Sequence, residues 1–312
     1  MHVGASPAVL WVFGGLLALL AIASIVTAAL SRSRPQKDYT ELKLRVKSWW
    51  IMIVIFALAL VPSVNFAIGF FAFLAFLALK EYLSLIPTRR ADRRVLFWCY
   101  LAIPVQFWWV HERWYHMFII WIPVWTLLLT SIRMVTIGDT KDFLRAVGTL
   151  QWGMLTMVFS VSHLAYLLVL PEAKGTVGAG PGLVLFIVML TQLNDVAQYV
   201  WGKTFGKHKV APLVSPKKTA EGLIGGILTT TGVSLIAAPW LTPLTHWDAV
   251  AVGLMTGLGG FLGDITISAV KRDLGVKDTG ALIPGHGGIL DRIDSLTFTA
   301  PLFFHFMKYF YY

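Results

Sequence analysis

One cysteine in 312 residues, Cys99, leaves no partner for an intrachain disulfide and none for a cysteine-based zinc cluster. Charge is scarce as well. Asp, Glu, Lys and Arg make up 13% of the chain, about half of what a soluble domain carries. Acids are the scarcer sign, 16 against 26 Lys and Arg, and the net charge at neutral pH is +10. The Gly-x4-Gly-Lys-Ser/Thr spacing of a P-loop does not occur. Neither does an internal repeat, a low-complexity linker, or the soluble basic face that nucleic-acid binding requires.

What fills the space is hydrocarbon. Hydrophobic residues account for 57% of the chain, with 13 Trp and 20 Phe, and the mean hydropathy is +0.71. Apolar runs of the length that crosses ~30 Å of bilayer recur from end to end, which predicts an all-α, polytopic integral membrane bundle. Ten segments qualify, at roughly 8–30, 48–62, 64–86, 95–110, 117–136, 146–170, 182–202, 222–241, 249–270 and 295–311. The second and third could form one re-entrant pair, so nine or ten transmembrane helices are expected. The first has no Lys or Arg ahead of it and exceeds a signal-peptide core, which reads as a retained span.

The basic residues fall on alternate loops: 31–47, 87–94, 133–145, 203–218 and 271–292 hold 22 of the 26. The bias of Lys and Arg toward the cytoplasm puts those loops inside and both termini outside. In a bacterial-type cell this means the inner membrane, with membrane lipids as neighbours. Character changes along the chain. Residues 1–180 supply Trp-, Phe- and Leu-rich helices suited to anchoring, lipid contact and dimerisation. Residues 181–312 combine acids inside the spans with Gly-, Pro- and His-bearing inside loops, and form the expected catalytic region.

Two aspartates interrupt otherwise apolar helices: Asp195 in LVLFIVMLTQLNDVAQYVWG and Asp264 in AVAVGLMTGLGGFLGDITISAV. Each stands about seven residues before the cytoplasmic end of its span, roughly 10 Å deep. A carboxylate at that depth needs a polar cavity, a partner or a metal, and two at one depth predict a shared site. Asp264, Ser268 and Lys271 follow at i, i+4 and i+7, so one helix face leads from the buried acid to the loop beyond it.

Two inside loops carry the rest. SPKKTAEG (215–222) places Ser215, Lys217, Lys218, Thr219 and Glu221 at the start of a helix, a set of hydroxyls, ammonium groups and free N–H groups that suits phosphate oxygens. SAVKRDLGVKDTGALIPGHGGILDRID (268–294) interleaves Lys271, Arg272, Lys277 and Arg292 with Asp273, Asp278, Asp291 and Asp294, around Gly-His286-Gly-Gly. Hard carboxylate ligands among cations are what phosphoryl or nucleotidyl transfer demands, because negative charge builds up in the transition state.

The second loop resembles, without a gap, the signature of the phosphatidate cytidylyltransferases (CDP-diacylglycerol synthases): Ser, Lys-Arg, Lys-Asp, Pro-x-His-Gly-Gly and Asp-Arg-x-Asp in register from Ser268 to Asp294. SPKKTAEG is similar to the family's Ser-Pro-x-Lys-Thr-x-Glu-Gly, and the helix around Asp195 to its Asp-to-Tyr motif. Many bacterial members have Asp-Thr-Gly-Ala-Tyr where this chain has Asp195-Val196-Ala197-Gln198-Tyr199, a hydroxyl lost and an amide gained. The resemblance covers roughly 180–312.

It implies CTP and phosphatidate as substrates, CDP-diacylglycerol and pyrophosphate as products, and a homodimer. It implies Mg²⁺ as cofactor, accompanied by a second, monovalent cation such as K⁺. Carried over residue by residue, Asp264, Asp291 and Asp195 are expected to hold the metal, with Lys271 completing the catalytic set. Ser215, Lys217, Lys218, Thr219, Arg272, Lys277 and Arg292 would bind CTP and the departing pyrophosphate, and Glu221, Asp278, His286 and Asp294 would orient that shell. The alternatives are transfer to a different lipid phosphate, a CTP-using polyprenol or phytol kinase, and an ion-coupled transporter. A transporter would need matched acidic helices in both halves, and apart from Glu81 the acids inside spans sit in the C-terminal half.

Overall fold

A computed structural model describes residues 6–33, 36, 38–87, 93–171, 180–280 and 287–312. Its N-terminal part is a run of helices: α1 (Pro7–Ser33), α2 (Thr40–Leu60), α3 (Val64–Leu85), α4 (Arg93–His111), α5 (Tyr115–Ile120), α6 (Leu127–Val135), α7 (Phe143–Gly153) and α8 (Ser160–Leu167). Local chemistry sets the breaks. Pro62 follows the end of α2, and the Ser63 hydroxyl then accepts from the N–H of Phe66, capping α3. Ile86 adopts an extended conformation ahead of Pro87, as the residue before a proline prefers, and α3 stops there. Two π-helical turns, Trp121–Thr126 and Met154–Phe159, join α5 to α6 and α7 to α8 as continuous rods.

The C-terminal part contains α9 (Pro181–Phe205), strands β1 (Lys209–Ala211) and β2 (Ser215–Thr219), α10 (Ala220–Leu241), α11 (His246–Asp273), the short α12 (Leu290–Ile293) and α13 (Leu296–Phe310). Helix α10 packs along both α9 and α11, and α13 bridges α11 to α8. The two parts share one apolar core, in which Phe118, Phe186, Phe303 and Phe304 are fully enclosed. Along the outside of the helices, large apolar side chains such as Trp11, Ile25, Phe66, Trp108, Leu228 and Trp240 face outward, as expected of surface in contact with lipid.

The helical class is as expected, but the span count is not established. Among the described residues, six helices are long and apolar enough to cross a membrane: Pro7–Ser33, Val64–Leu85, Tyr115–Val135, Pro181–Phe205, Ala220–Leu241 and His246–Asp273. Helices also cover the remaining expected segments. However, α13 has 15 residues, short of the ~20 that cross hydrocarbon, and α2 opens on Glu41, Lys43, Arg45 and Lys47. One local expectation is corrected. The stretch before α10, read as open loop, is a two-stranded antiparallel hairpin in which Lys209 pairs with Thr219 and Ala211 with Ser215.

Glycine lets the site-bearing helices close. A Cβ on Gly263 would lie 2.7 Å from the carbonyl oxygen of Asp294, so α11 and the chain entering α13 touch backbone to backbone. Among the described residues nothing lies within 4 Å of a Cβ placed on Gly14 in α1. Gly263→Val is therefore expected to cost about 1–3 kcal/mol through overpacking, seen as a lower melting temperature in detergent. Gly14→Val in the same assay should leave the melting temperature nearly unchanged.

Candidate active site

Four elements deliver side chains to one place beneath the hairpin. From α9 come Gln192, Asn194, Asp195 and Gln198. From β2 comes Lys218, immediately ahead of Thr219, whose hydroxyl accepts from the N–H of Gly222 and caps α10. From α11 come Asp264, Ser268 and Lys271 on the predicted face. From the α12 region come Asp291, Arg292, Asp294 and Ser295.

Each acid is met by a different partner. The Lys218 ammonium lies 2.6 Å from Asp264 Oδ2, and Ser268 Oγ donates to Asp264 Oδ1 at 3.2 Å. Ser295 Oγ donates to Asp195 Oδ1 at 2.9 Å. Lys271 donates to Asp291 Oδ1 at 2.8 Å, while Asp291 Oδ2 accepts from the backbone N–H groups of Thr279 and Gly288, each at 3.0 Å, and lies 3.0 Å from the Thr279 hydroxyl oxygen. Burial would raise the Asp291 carboxyl, but Lys271 and the Gly288 and Thr279 donors prevail and hold it below its ordinary value. Asp294 goes the other way. Burial, and then the charges of Asp264 and Asp195, push it well above the ordinary carboxylate range. Among the described residues the buried Nε–H of Arg292 has no partner, and its charge acts on Asp195.

The expected residues thus divide. Asp195, Asp264, Asp294, Lys218, Lys271, Asp291 and Arg292 are gathered. Asp294, expected only to orient the shell, feels Asp195 and Asp264 directly. Ser215 and Thr219 are hairpin residues that pair with β1. Glu221 grips the hairpin, accepting from the N–H of Lys207 at 3.0 Å, the N–H of His208 at 3.2 Å and the His208 ring at 2.6 Å. Arg272 donates from Nε to the carbonyl of Val214, tying the hairpin tip to α11. Lys217, Lys277 and Asp278 are exposed. His286 lies outside the described residues.

One contributor comes from the other half of the chain. Glu81, at the end of α3, accepts from the N–H of Ile289 at 2.9 Å and of Leu290 at 3.1 Å, and from the Thr279 hydroxyl. It caps α12 from outside and holds the segment that carries Asp291. A Cβ on Gly288 would collide with its carboxylate, and Gly287 has φ +81°, so only glycines fit this turn. An acid inside an apolar helix was the available signal for Glu81.

The donor set fits Mg²⁺ chemically. It is all carboxylate and hydroxyl oxygen, and the mutual repulsion of Asp195, Asp264 and Asp294 is what a cation would relieve. Among the described residues no three His, Cys, Asp or Glu side chains converge on one metal-sized point.

A model described as the cytidylyltransferase family matches residues 43–310. The uncharacterized protein YnbB of Escherichia coli (strain K12) is 43% identical over 294 residues, covering 94% of this chain and 96% of that protein. The phosphatidate cytidylyltransferases of Staphylococcus epidermidis and Staphylococcus aureus are 42% and 43% identical over 120 residues, 38% of this chain and 46% of theirs. Against those two, the likeness spans less than half of each protein's length.

Glu81→Leu leaves the backbone N–H groups of Ile289 and Leu290 without their acceptor. It should cost about 1–3 kcal/mol of local stability and speed hydrogen exchange at Ile289 and Leu290, while peptides from α1 exchange as in the unaltered protein.

Proposed function

Because the chain belongs to the cytidylyltransferase family, we propose that it transfers the cytidylyl group of CTP to a lipid phosphate, phosphatidate, giving CDP-diacylglycerol and pyrophosphate. The observation that carries this reading is the meeting of Lys218, Lys271 and Arg292 with Asp195, Asp264 and Asp294. Cations for a triphosphate and acids for a divalent metal stand at the mouth of helices buried in an apolar bundle.

In the proposed reaction a phosphatidate phosphate oxygen attacks the α-phosphorus of CTP. The bond from that phosphorus to the β-bridging oxygen breaks, and the electron pair leaves with pyrophosphate. The nucleophile is already an anion, so the work is positioning and charge neutralisation rather than proton abstraction. Lys218 and Arg292 bind the phosphates, and the Arg292 Nε–H, without a partner among the described residues, is a donor available to them. Lys271 steadies Asp291 and offsets charge on the leaving group. Asp264 and Asp195 are the residues that would hold Mg²⁺, with Asp294 and Asp291 beside them, and the ion when bound would supply Lewis-acid stabilisation of the charge that builds up on the phosphate oxygens. A monovalent cation such as K⁺ belongs to the same proposal.

The Lys and Arg bias supports a site open to the cytoplasm, where CTP is found, in a bacterial inner membrane. The proposed assembly is a homodimer, with residues 1–180 as anchor and residues 181–312 as catalytic part. Gln198 favours a second reading, transfer to a lipid phosphate other than phosphatidate, since it stands beside Lys218 where many bacterial members have alanine.

Purified protein with Mg²⁺ and CTP labelled at the α- or γ-phosphate, offered phosphatidate, lysophosphatidate or a polyprenol, decides this. The expected result is α-label in CDP-diacylglycerol and γ-label in pyrophosphate. γ-Label in a lipid would make the protein a kinase, and label in no lipid would remove the reading. Asp264→Asn and Asp195→Asn are each expected to lower turnover by roughly 100-fold or more, with the melting temperature retained.

A further inference from the structure

Gln198 occupies an unusual position for a neutral side chain. It is 4% exposed, one turn above Asn194 on α9, and its amide joins two other elements. Its Oε1 accepts from the Lys218 ammonium at 3.1 Å, and its Nε2 donates to the carbonyl of Gly257 on α11 at 3.4 Å. Chemistry fixes the orientation of this amide, because a lysine can only donate and a carbonyl can only accept. Helix α10 makes room for it. A Cβ on Gly226 would lie 2.3 Å from Gln198 Cγ, so the side chain runs through the space that Gly226 leaves open.

Lys218 is then held twice, by Asp264 at 2.6 Å and by Gln198 at 3.1 Å. The two restraints differ in kind. Asp264 is the acid proposed to engage Mg²⁺, and when it does so its hold on the ammonium weakens. The Gln198 amide has no such competing role. Without it, Lys218 would be left with the Phe261 ring, 5.6 Å away, and the charge of Asp195, itself proposed to engage the metal, and a four-carbon side chain would regain its rotamer freedom. Asn194 does not substitute, since its Nδ2 goes to the Gly257 carbonyl at 3.3 Å and its Oδ1 accepts from Thr230.

We propose that Gln198 is a positioning residue that keeps the Lys218 ammonium at the mouth of the site when Asp264 turns to the metal, so that Lys218 meets the triphosphate already in place. This rests on the cytidylyl-transfer reading and deepens it. The departure from the Asp-Thr-Gly-Ala-Tyr pattern becomes a device of this chain, since an alanine methyl could offer Lys218 no acceptor.

Two variants separate positioning from packing. Gln198→Met keeps the shape and removes the acceptor. Gln198→Glu keeps the acceptor and gives up the donor to Gly257, whose carbonyl Asn194 still serves. Two readouts are taken: the KM for CTP against kcat, and the rate at which an amine-acylating reagent labels Lys218, followed by mass spectrometry without any substrate present. In Gln198→Met the KM for CTP should rise about tenfold, the worth of one charge-assisted hydrogen bond, with kcat changed far less. Lys218 labelling should be faster in the same variant. In Gln198→Glu, which keeps an acceptor for the ammonium, Lys218 labelling should stay as slow as in the unaltered protein.

Unchanged KM and unchanged labelling in Gln198→Met would overturn the proposal. So would equal losses in both variants accompanied by a lower melting temperature, which is the signature of packing alone. Labelling needs no turnover, so a chain inactive toward phosphatidate would sink the transfer reading while still deciding the role of Gln198.

Discussion

A carboxylate carried into an apolar helix bundle has to be met there by a cation or a hydrogen-bond donor, because leaving it unpaired costs several kcal/mol. The C-terminal half of this chain is arranged around that constraint. Asp264 is met by Lys218 from the hairpin, Asp195 by Ser295 ahead of α13, and Asp291 by Lys271 from α11. None of these three is satisfied from its own helix alone, so each pairing is also a tie between elements. The two-stranded hairpin, which has little apolar area of its own, is held in place this way: by Lys218 on Asp264, by Glu221 on His208, and by Arg272 on the Val214 carbonyl.

The same constraint links the halves of the molecule. Glu81 ends a helix of the N-terminal part and finds its donors in Thr279, Ile289 and Leu290. One residue on, Tyr82 fills the space over Gly153 and donates to the carbonyl of Thr149. The end of α3 is thus a joint between the α7–α8 rod and the acid-bearing loop. A division into anchor and catalytic parts describes sequence character, while the hydrogen bonds cross it. A match to the cytidylyltransferase family that begins at residue 43, well before the recognisable motifs, agrees with that integration.

Much of this was legible in the sequence because it rests on local periodicity or on cost. Apolar runs foretold the helices, the i, i+4, i+7 spacing of Asp264, Ser268 and Lys271 foretold their common face, and the expense of buried acids marked Asp195. What was not legible depends on contacts between distant segments. Glu81 meets Ile289 across 208 positions, and nothing within its own helix announces such a partner. The hairpin escaped notice because Ser-Pro-Lys-Lys-Thr has weak strand propensity, and the contacts of Glu221 and Arg272 that brace it come from outside the strands. Gln198 was visible as a departure from a pattern, but its role depends on the opening at Gly226. The span count stays open because a helix can form on propensity and packing without showing whether it crosses: α13 has 15 residues and α2 opens on four charged side chains.

The central claim is that the buried acids and the lysines opposing them form one receptor for a metal-bound triphosphate. Ligand that binds only the folded state raises stability by mass action, so thermal unfolding of the purified protein tests it without needing the lipid substrate. Mg²⁺ and CTP together should raise the melting temperature well above either alone, and the gain should vanish in Lys218→Met. An unchanged melting temperature at millimolar Mg²⁺ and CTP, or an equal gain in Lys218→Met, would contradict the account.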